Sequence, residues 1–148
     1  MANYIFPATL DAAIKVASNL LPDDHREVTE GHGLDPESAL AISVNNCDSV
    51  YFQVPNGELA GMAGVHKNGQ IWMLCTPAIY AYPHTFAREA KRFVNERPEE
   101  KLWNFVDKRN KVHLKLLKFL GFQFLEEFTY GPNNLTFIEF ARVRTNSD

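Results

Sequence analysis

Hydrophobic residues recur at two different spacings along the chain, and the change from one spacing to the other predicts its secondary structure. Apolar residues three and four apart predict amphipathic helices over 10–21, 86–94 and 112–120. Asp35 followed by Pro36 predicts the start of a further helix, because a carboxylate caps free N–H groups and proline fits the first turn. Runs rich in β-branched and aromatic residues predict strands at 4–6, 49–54, 58–66, 70–76, 102–106, 122–129 and 135–141.

Turn residues divide these segments. Asn56-Gly57 and Asn68-Gly69 predict tight hairpin turns, since both positions of such turns need positive φ angles. Gly131-Pro132-Asn133-Asn134 predicts a third hairpin, and Gly121 lies where a helix ends on a left-handed residue. The polar stretch 22–33 is predicted to be a loop.

The resulting element order is β-α-α-β-β-β-α-β-α-β-β, which predicts an α/β fold with a mixed sheet. The fourth and fifth strands flank a crossover helix, so they are expected to be parallel neighbours with a right-handed connection. Ligands in such sheets favour the carboxyl ends of strands and the amino end of the next helix, which directs attention to 74–85 and 106–110.

Composition narrows the class of protein. A chain of 148 residues with 45% hydrophobic and 22% charged residues is expected to form a single domain over 1–148. With 15 basic and 18 acidic residues the net charge is −3, so a nucleic-acid partner is not expected. No segment has the roughly 20 apolar residues of a membrane span, and the first residues have no basic, then apolar, signal-peptide pattern.

The cysteine and histidine residues predict neither a disulfide framework nor a metal site. The two cysteines do not form a disulfide framework, and Cys75 is expected to pack in the core. The five histidines have no paired metal-ligand spacing, so no metal site is predicted.

One segment carries a family pattern. Residues 110–122 resemble the fourth-helix motif Asn-x-x-Ala-x-x-x-Tyr-x-x-x-Gly-Phe of the GNAT superfamily of acetyl-CoA-dependent N-acetyltransferases. Asn110, Gly121 and Phe122 fit this motif, whereas His113 stands at the alanine position and Leu117 at the tyrosine position. The order of elements resembles the same superfamily from end to end, which implies a sheet with helices on both faces.

A narrower resemblance points to a bacteriophage. Residues 71–76, 102–106, the helix after Asn110 and residues 124–128 resemble the small internal virion protein family of T-odd podophages, over about the C-terminal half. That resemblance implies phage or host proteins as partners, and a location in the host cytoplasm or packaged in the virion.

The GNAT resemblance implies acetyl-CoA or CoA as cofactor, bound in a cleft between two splayed parallel strands. Candidate bases for the amine are Glu58, His66 and His84, since they lie near strand or loop ends and histidine titrates near neutrality. The favoured alternative for Glu58 is a solvated hairpin residue, and the favoured alternative for His66 is an exposed strand end. The positions that the resemblance assigns to cofactor binding are Leu74, Cys75, Thr76, Thr85, Arg88, Asn110 and Leu117.

Two of these assignments have a structural alternative. Asn110 could cap a helix as well as contact a ligand, and the basic series Lys108, Arg109, Lys111, Lys115 and Lys118 could be a solvated face or meet the CoA 3′-phosphate.

The chain departs from the GNAT pattern at its phosphate loop. The superfamily uses Arg/Gln-x-x-Gly-x-Gly/Ala, whose glycines let backbone amides close on the pyrophosphate. Residues 76–85 contain no glycine and two prolines, which lack N–H donors. Leu117 cannot protonate a leaving thiolate, and Tyr80 or Tyr82 could do so only if the loop folds inward. Cofactor binding in the usual pose is therefore expected to be weakened.

These observations leave three functions open. The resemblances imply a phage GNAT-fold protein with a degenerate acetyl-CoA site that acts through protein contacts, either as a virion or assembly component or as a host-directed effector. The third function is active N-acetyl transfer to a host protein or small amine. Exposed aromatic residues on the last two strands, such as Tyr130 and Phe137, could support an oligomer.

Overall fold

A computed structural model describes residues 3–144 and confirms the mixed α/β class. The strands are β1 (Ile5–Pro7), β2 (Asp48–Gln53), β3 (Leu59–Val65), β4 (Ile71–Cys75), β5 (Lys101–Asp107), β6 (Gln123–Tyr130) and β7 (Leu135–Val143). The helices are α1 (Leu10–Ala17), α2 (Pro22–Arg26), α3 (Pro36–Asn46), α4 (Pro83–Glu96) and α5 (Lys111–Phe119), with a π-helical turn at Glu27–Gly31 and a 3-10 turn at Pro77–Tyr80. Residues 1 and 2, which begin the segment without a signal-peptide pattern, lie outside the described part.

The strands form two antiparallel sheets, ordered β1-β2-β3-β4 and β5-β7-β6. They meet at one parallel bridge between Gln70 and Trp103, just before β4, where the Trp103 N–H donates to the Gly69 carbonyl at 3.1 Å. Asn104 Nδ2 donates to the Ile71 carbonyl at 2.7 Å. Within residues 3–144 the pairing goes no further, so β4 and β5 are parallel neighbours that separate toward their carboxyl ends. We call the space between them the split.

Helices cover both faces of the first sheet. On one face, Val16 of α1 and Leu40 of α3 pack against Met62 of β3. On the other face, Phe86 and Phe93 of α4 join the main core. This arrangement follows from the alternation of side chains along the strands, which gives each face of the sheet its own apolar layer. No helix in residues 3–144 combines the length and the apolar character needed to cross a membrane.

Local signals in the sequence set most helix ends. The side chains of Thr9 and Asp35 accept hydrogen bonds from N–H groups in the first turns of α1 and α3, at 3.1 and 3.0 Å. Gly121 ends α5 with φ of 90°, as predicted for a left-handed residue.

The predicted loop over 22–33 is wrong, and so is the predicted extension of the first helix to residue 21. The chain leaves α1 after Ala17 and then forms α2 and the π-helical turn. Pro22 occupies the first turn of α2 with Asp23 and Asp24. This helix shares with α3 a proline and an acidic residue in its first turn, although its N-cap residue Leu21 forms no side-chain cap. The polar pattern misled the prediction because Asp24 is only 2% exposed, so a carboxylate faces the interior where an apolar side chain is expected.

Candidate functional site: a split filled by the chain itself

The open edge of β4 carries the backbone groups that face the split. Thr76 N–H donates to the Ala60 carbonyl of the β3 side at 2.9 Å. Because alternate residues of an antiparallel strand bond to the same neighbour, the backbone N–H and C=O groups of Ile71, Met73 and Cys75 point away from β3 and toward β5. These groups are the ones available to anything that enters the split.

The segment around α2 occupies the mouth of the split. Asp24 Oδ2 accepts a hydrogen bond from the Cys75 N–H at 2.8 Å, and the Leu21 N–H donates to the Cys75 carbonyl at 2.9 Å. Asp24 Oδ1 accepts from Asn110 Nδ2 at 2.7 Å, at the start of α5. The buried Asp24 carboxylate therefore joins the end of β4 to the helix that follows β5.

Glu27 makes the corresponding contact with β5. Its Oε1 atom accepts a hydrogen bond from the Asp107 N–H at 2.9 Å and lies 3.5 Å from Asn110 Nδ2. Residues 21–27 thus bind both strands, and we call this segment the plug. The plug satisfies backbone donors that would otherwise be exposed in an apolar cleft, which is costly when they are left unpaired.

The Glu27 carboxyl group of the plug and the His113 imidazole change each other's pKa. Burial raises the pKa of Glu27 to about 7, although the nearby His113 opposes this change. Burial alone would lower the pKa of His113, but the Asp24 carboxylate, 3.7 Å from Nδ1, and the charge of Glu27 outweigh it and raise the pKa. The Glu27 carboxyl group therefore titrates near neutral pH within the protein.

Cavities lie on both faces of the split. One of about 250 Å³ opens on the α3 face and includes Glu27, and one of about 190 Å³ opens on the α4 and α5 face and includes Asp24. His113 lines both cavities, so Asp24, Glu27 and His113 form part of the wall between them. The smaller cavity is otherwise mostly apolar, with Leu21, Ile79, Phe86, Val112 and Leu116 among its lining residues.

The structure gathers four of the predicted cofactor residues at the split: Leu74, Cys75, Thr76 and Asn110. Cys75 is buried and bound by the plug, and burial raises the pKa of its thiol well above the usual range. Thr76 donates its hydroxyl to the Leu59 carbonyl at 2.7 Å, and Leu74 lines the larger cavity. Asn110 caps α5 by accepting from the His113 N–H at 3.2 Å, which confirms the capping alternative.

The other predicted cofactor residues lie farther out. Leu117 is buried in the main core, while Thr85 and Arg88 lie on α4, where Arg88 is exposed. Two residues of the basic series form ion pairs: Lys108 with Glu127 at 3.0 Å, and Arg109 with Asp107 at 2.8 Å.

The three candidate bases are not brought together. Glu58 is exposed on the β2–β3 hairpin beside a groove of about 630 Å³ along α1. His66 lines the 250 Å³ cavity, and His84 is exposed at the start of α4. A role for any of them as a base stays a prediction.

Sequence reasoning missed Asp24 and Glu27. A signal for them was present in Pro22-Asp23-Asp24, which has the composition of a helix start rather than of a loop. Nothing in a single sequence shows that the fourth strand donates a backbone N–H to a carboxylate 51 residues earlier in the chain.

Solved structures with the same architecture define the fold. A GNAT-family acetyltransferase from Bacillus anthracis superimposes with a TM-score of 0.69 at 10% identity, covering 97% of this chain and 96% of that one. A GNAT-family acetyltransferase from Bacillus cereus gives 0.67 at 14% identity, covering 96% and 97%. The yncA protein from Salmonella typhimurium, solved with its cofactor acetyl-CoA, gives 0.65 at 13% identity, covering 96% and 94%. The chain therefore has the GNAT fold.

The sequence also places the chain in a phage family. Residues 49–129 match the family described as bacteriophage T7, probable scaffold protein Gp13. Since this match covers more than half of the chain, the protein belongs to that family, and the predicted phage origin is confirmed. The matched region runs from β2 into β6 and so contains both strands of the split, whereas the plug precedes it. No curated protein sequence matches the chain.

Proposed function

We propose that this phage GNAT-fold protein acts through protein contacts, as an assembly or virion component, and that its acetyl-CoA site is degenerate. The observation that carries the proposal is the plug. The backbone N–H and C=O groups of Cys75, at the mouth of the split, are bonded to Asp24 and Leu21 of the same chain.

The space that remains supports a degenerate site. The 190 Å³ cavity on the α4 face is smaller than the roughly 300–1,000 Å³ of typical small-molecule sites. Pro83 occupies the first turn of α4 and offers no N–H to a phosphate, and Tyr82 caps that helix without a side-chain hydrogen bond. Pyrophosphate binding therefore has fewer donors here than a glycine-rich loop would supply.

The family supports a role in protein contacts. Its description names a probable scaffold protein, and a scaffold works by binding other proteins. We infer that the partners are phage proteins met in the host cytoplasm during assembly, and that the chain is packaged in the particle. Mass spectrometry of purified particles and assembly intermediates tests this role, and absence from both would contradict it.

One observation favours active N-acetyl transfer as the second candidate. Glu27 lines the 250 Å³ cavity, and a carboxyl group with a pKa of about 7 is suited to accept a proton from an amine. In that reaction the amine nitrogen attacks the thioester carbon, the C–S bond breaks, CoA leaves as thiolate, and Glu27 takes the amine proton. Leu21 and Asp24 would have to release Cys75 while Glu27 stayed at the cavity for the thioester to reach this amine.

Thermal unfolding with and without excess acetyl-CoA separates the two candidates. A ligand at 100 times its Kd adds about 2.7 kcal/mol to the free energy of unfolding, which raises Tm by roughly 5–10 °C for a chain of this size. We expect no shift. A shift of that size, together with amine acetylation that Glu27→Gln abolishes, would contradict a degenerate site and support active N-acetyl transfer.

A further inference from the structure

The outer face of the second sheet carries an aromatic cluster that extends to the protein surface. Phe105 of β5 lies 4.8 Å from Tyr130 and 5.3 Å from Phe128 of β6, measured between ring centroids. Phe137 of β7 lies beneath them, 5.2 Å from Tyr130, and His32 packs against the same rings. We call these five side chains the aromatic face.

The aromatic face is only partly covered. The expectation that Phe137 is exposed is wrong, because the other rings cover it completely. Tyr130 is exposed as expected, at 36%, and Phe128 at 37%. All eight residues of β6 are exposed, and within residues 3–144 this strand pairs with β7 alone. The other edge of β6 therefore presents the backbone N–H and C=O groups of an edge strand, which can pair with an added strand.

Unneutralised acidic side chains adjoin the aromatic face. Glu139 lies directly opposite Phe105 across β5 and β7, so the two side chains share one face of the sheet. The bulge in β6 places Glu126 between Phe124 and Glu127, near the Glu139 position. In the described part of the chain neither Glu126 nor Glu139 has an ion-pair partner.

Lys108 and Arg109, which follow β5, are themselves paired, and Lys108 binds Glu127 of β6 at 3.0 Å. Arg109 is bound by Asp107 at 2.8 Å and Glu30 at 3.1 Å. Burial lowers the pKa of His32, and this ring therefore adds no positive charge to the aromatic face at neutral pH.

We propose that β6 and the aromatic face bind an extended basic segment of a partner protein. The segment adds a strand to the free edge of β6, and its lysine or arginine side chains lie over Phe128 and Tyr130 and pair with Glu139. Aromatic rings attract cations through their electron-rich faces, and the carboxylates add charge complementarity. This inference rests on the proposed role in protein contacts and names the chemistry of the partner.

Charge argues against a second copy of this chain as the occupant. Antiparallel pairing of two β6 strands about their midpoint would place Glu126 opposite Glu127 of the other copy. Like charges directly opposite each other destabilise a strand pair.

The test uses fluorescence anisotropy with two labelled peptides, each eight residues long to match β6. One alternates lysine with valine and the other alternates glutamate with valine. We expect the lysine peptide to bind, with an affinity that falls as salt is added, and the glutamate peptide not to bind. Glu139→Gln should weaken binding roughly five-fold, and Phe128→Leu, which keeps an apolar side chain but removes the ring, roughly three-fold. Glu100→Gln removes the same charge from an exposed position in the linker before β5 and should leave binding unchanged.

Three results would overturn the inference. The first is equal or absent binding of both peptides, and the second is an equal loss in Glu139→Gln and Glu100→Gln. The third is a dimer in sedimentation velocity that the lysine peptide does not dissociate, because a second copy would then occupy β6. Failure here would leave the acetyl-CoA result and the presence of the chain in particles unaffected, so the proposed function is tested separately.

Discussion

Replacing Asp24 with alanine should unfold the protein at a markedly lower temperature. The substitution leaves the Cys75 N–H and the Asn110 side-chain amide without their bonds of 2.8 and 2.7 Å. Each buried donor left unpaired costs about 1–3 kcal/mol, and the lost partner of His113 adds to this. We expect a total loss of about 3–5 kcal/mol, or roughly 10 °C in Tm for a chain of this length.

Asp23→Ala is the matched control. Asp23 stands next to Asp24 in the same first turn but forms a partly exposed pair with Arg26, which is worth about 1 kcal/mol or less. Urea unfolding followed by circular dichroism measures both variants. An equal loss of stability in Asp23→Ala and Asp24→Ala would show that the plug does not hold the split together.

A double-mutant cycle tests the direct contact between Asp24 and Asn110. Asp24→Ala and Asn110→Ala remove the two ends of one hydrogen bond, so their combined loss should be smaller than the sum of the single losses by about 1 kcal/mol or more. Strict additivity would refute a direct contact.

Two further predictions concern the junction of the sheets and the titration of the plug. Gly69 and Gly57 both have φ of 86°. A Cβ at Gly69 would clash with the Lys101 carbonyl oxygen, whereas Gly57 faces open space. Gly69→Ala should therefore lower stability by at least about 2 kcal/mol more than Gly57→Ala in urea unfolding, and similar losses would contradict the contact between the turn before β4 and the start of β5. The folded protein holds the proton of Glu27 more tightly than the unfolded chain does, because folding raises the pKa of this carboxyl group from 4.5 to about 7. The free energy of unfolding should therefore fall as pH rises from about 4.5 through 7, by on the order of 2 kcal/mol for Glu27. The raised pKa of His113 acts in the same direction and extends the loss to higher pH. Glu27→Gln should flatten this profile, and an unchanged slope would assign the titration to other groups.

Local patterns in the sequence predicted most of the fold. Asn-Gly pairs predicted both hairpins of the first sheet, and Gly57 and Gly69 have the positive φ that such turns need. The parallel relation of β4 and β5 followed from the crossover helix between them, and the bridge from Gln70 to Trp103 confirms it. These features depend on neighbouring residues, which is why a single sequence contains them.

The candidate site could be predicted only in part. Asn110 was identified, but its hydrogen bond to Asp24 joins residues 86 positions apart, and no local pattern encodes such a pairing. Asp24 and Glu27 were assigned to a loop because their polarity suggested contact with water. A charged group can be buried only where distant parts of the chain provide a hydrogen-bond or ion-pair partner. The spacing of hydrophobic residues contains no information about such partners.

The plug has a consequence for any molecule that competes for the split. A tethered occupant cannot be diluted away, because its local concentration is fixed by the length of the chain and is on the order of millimolar for short flexible connections. A free competitor would need a concentration and an affinity high enough to overcome that local concentration before it displaced Asp24 from Cys75. Such a protein keeps the end of β4 bonded whether or not a small molecule is present around it.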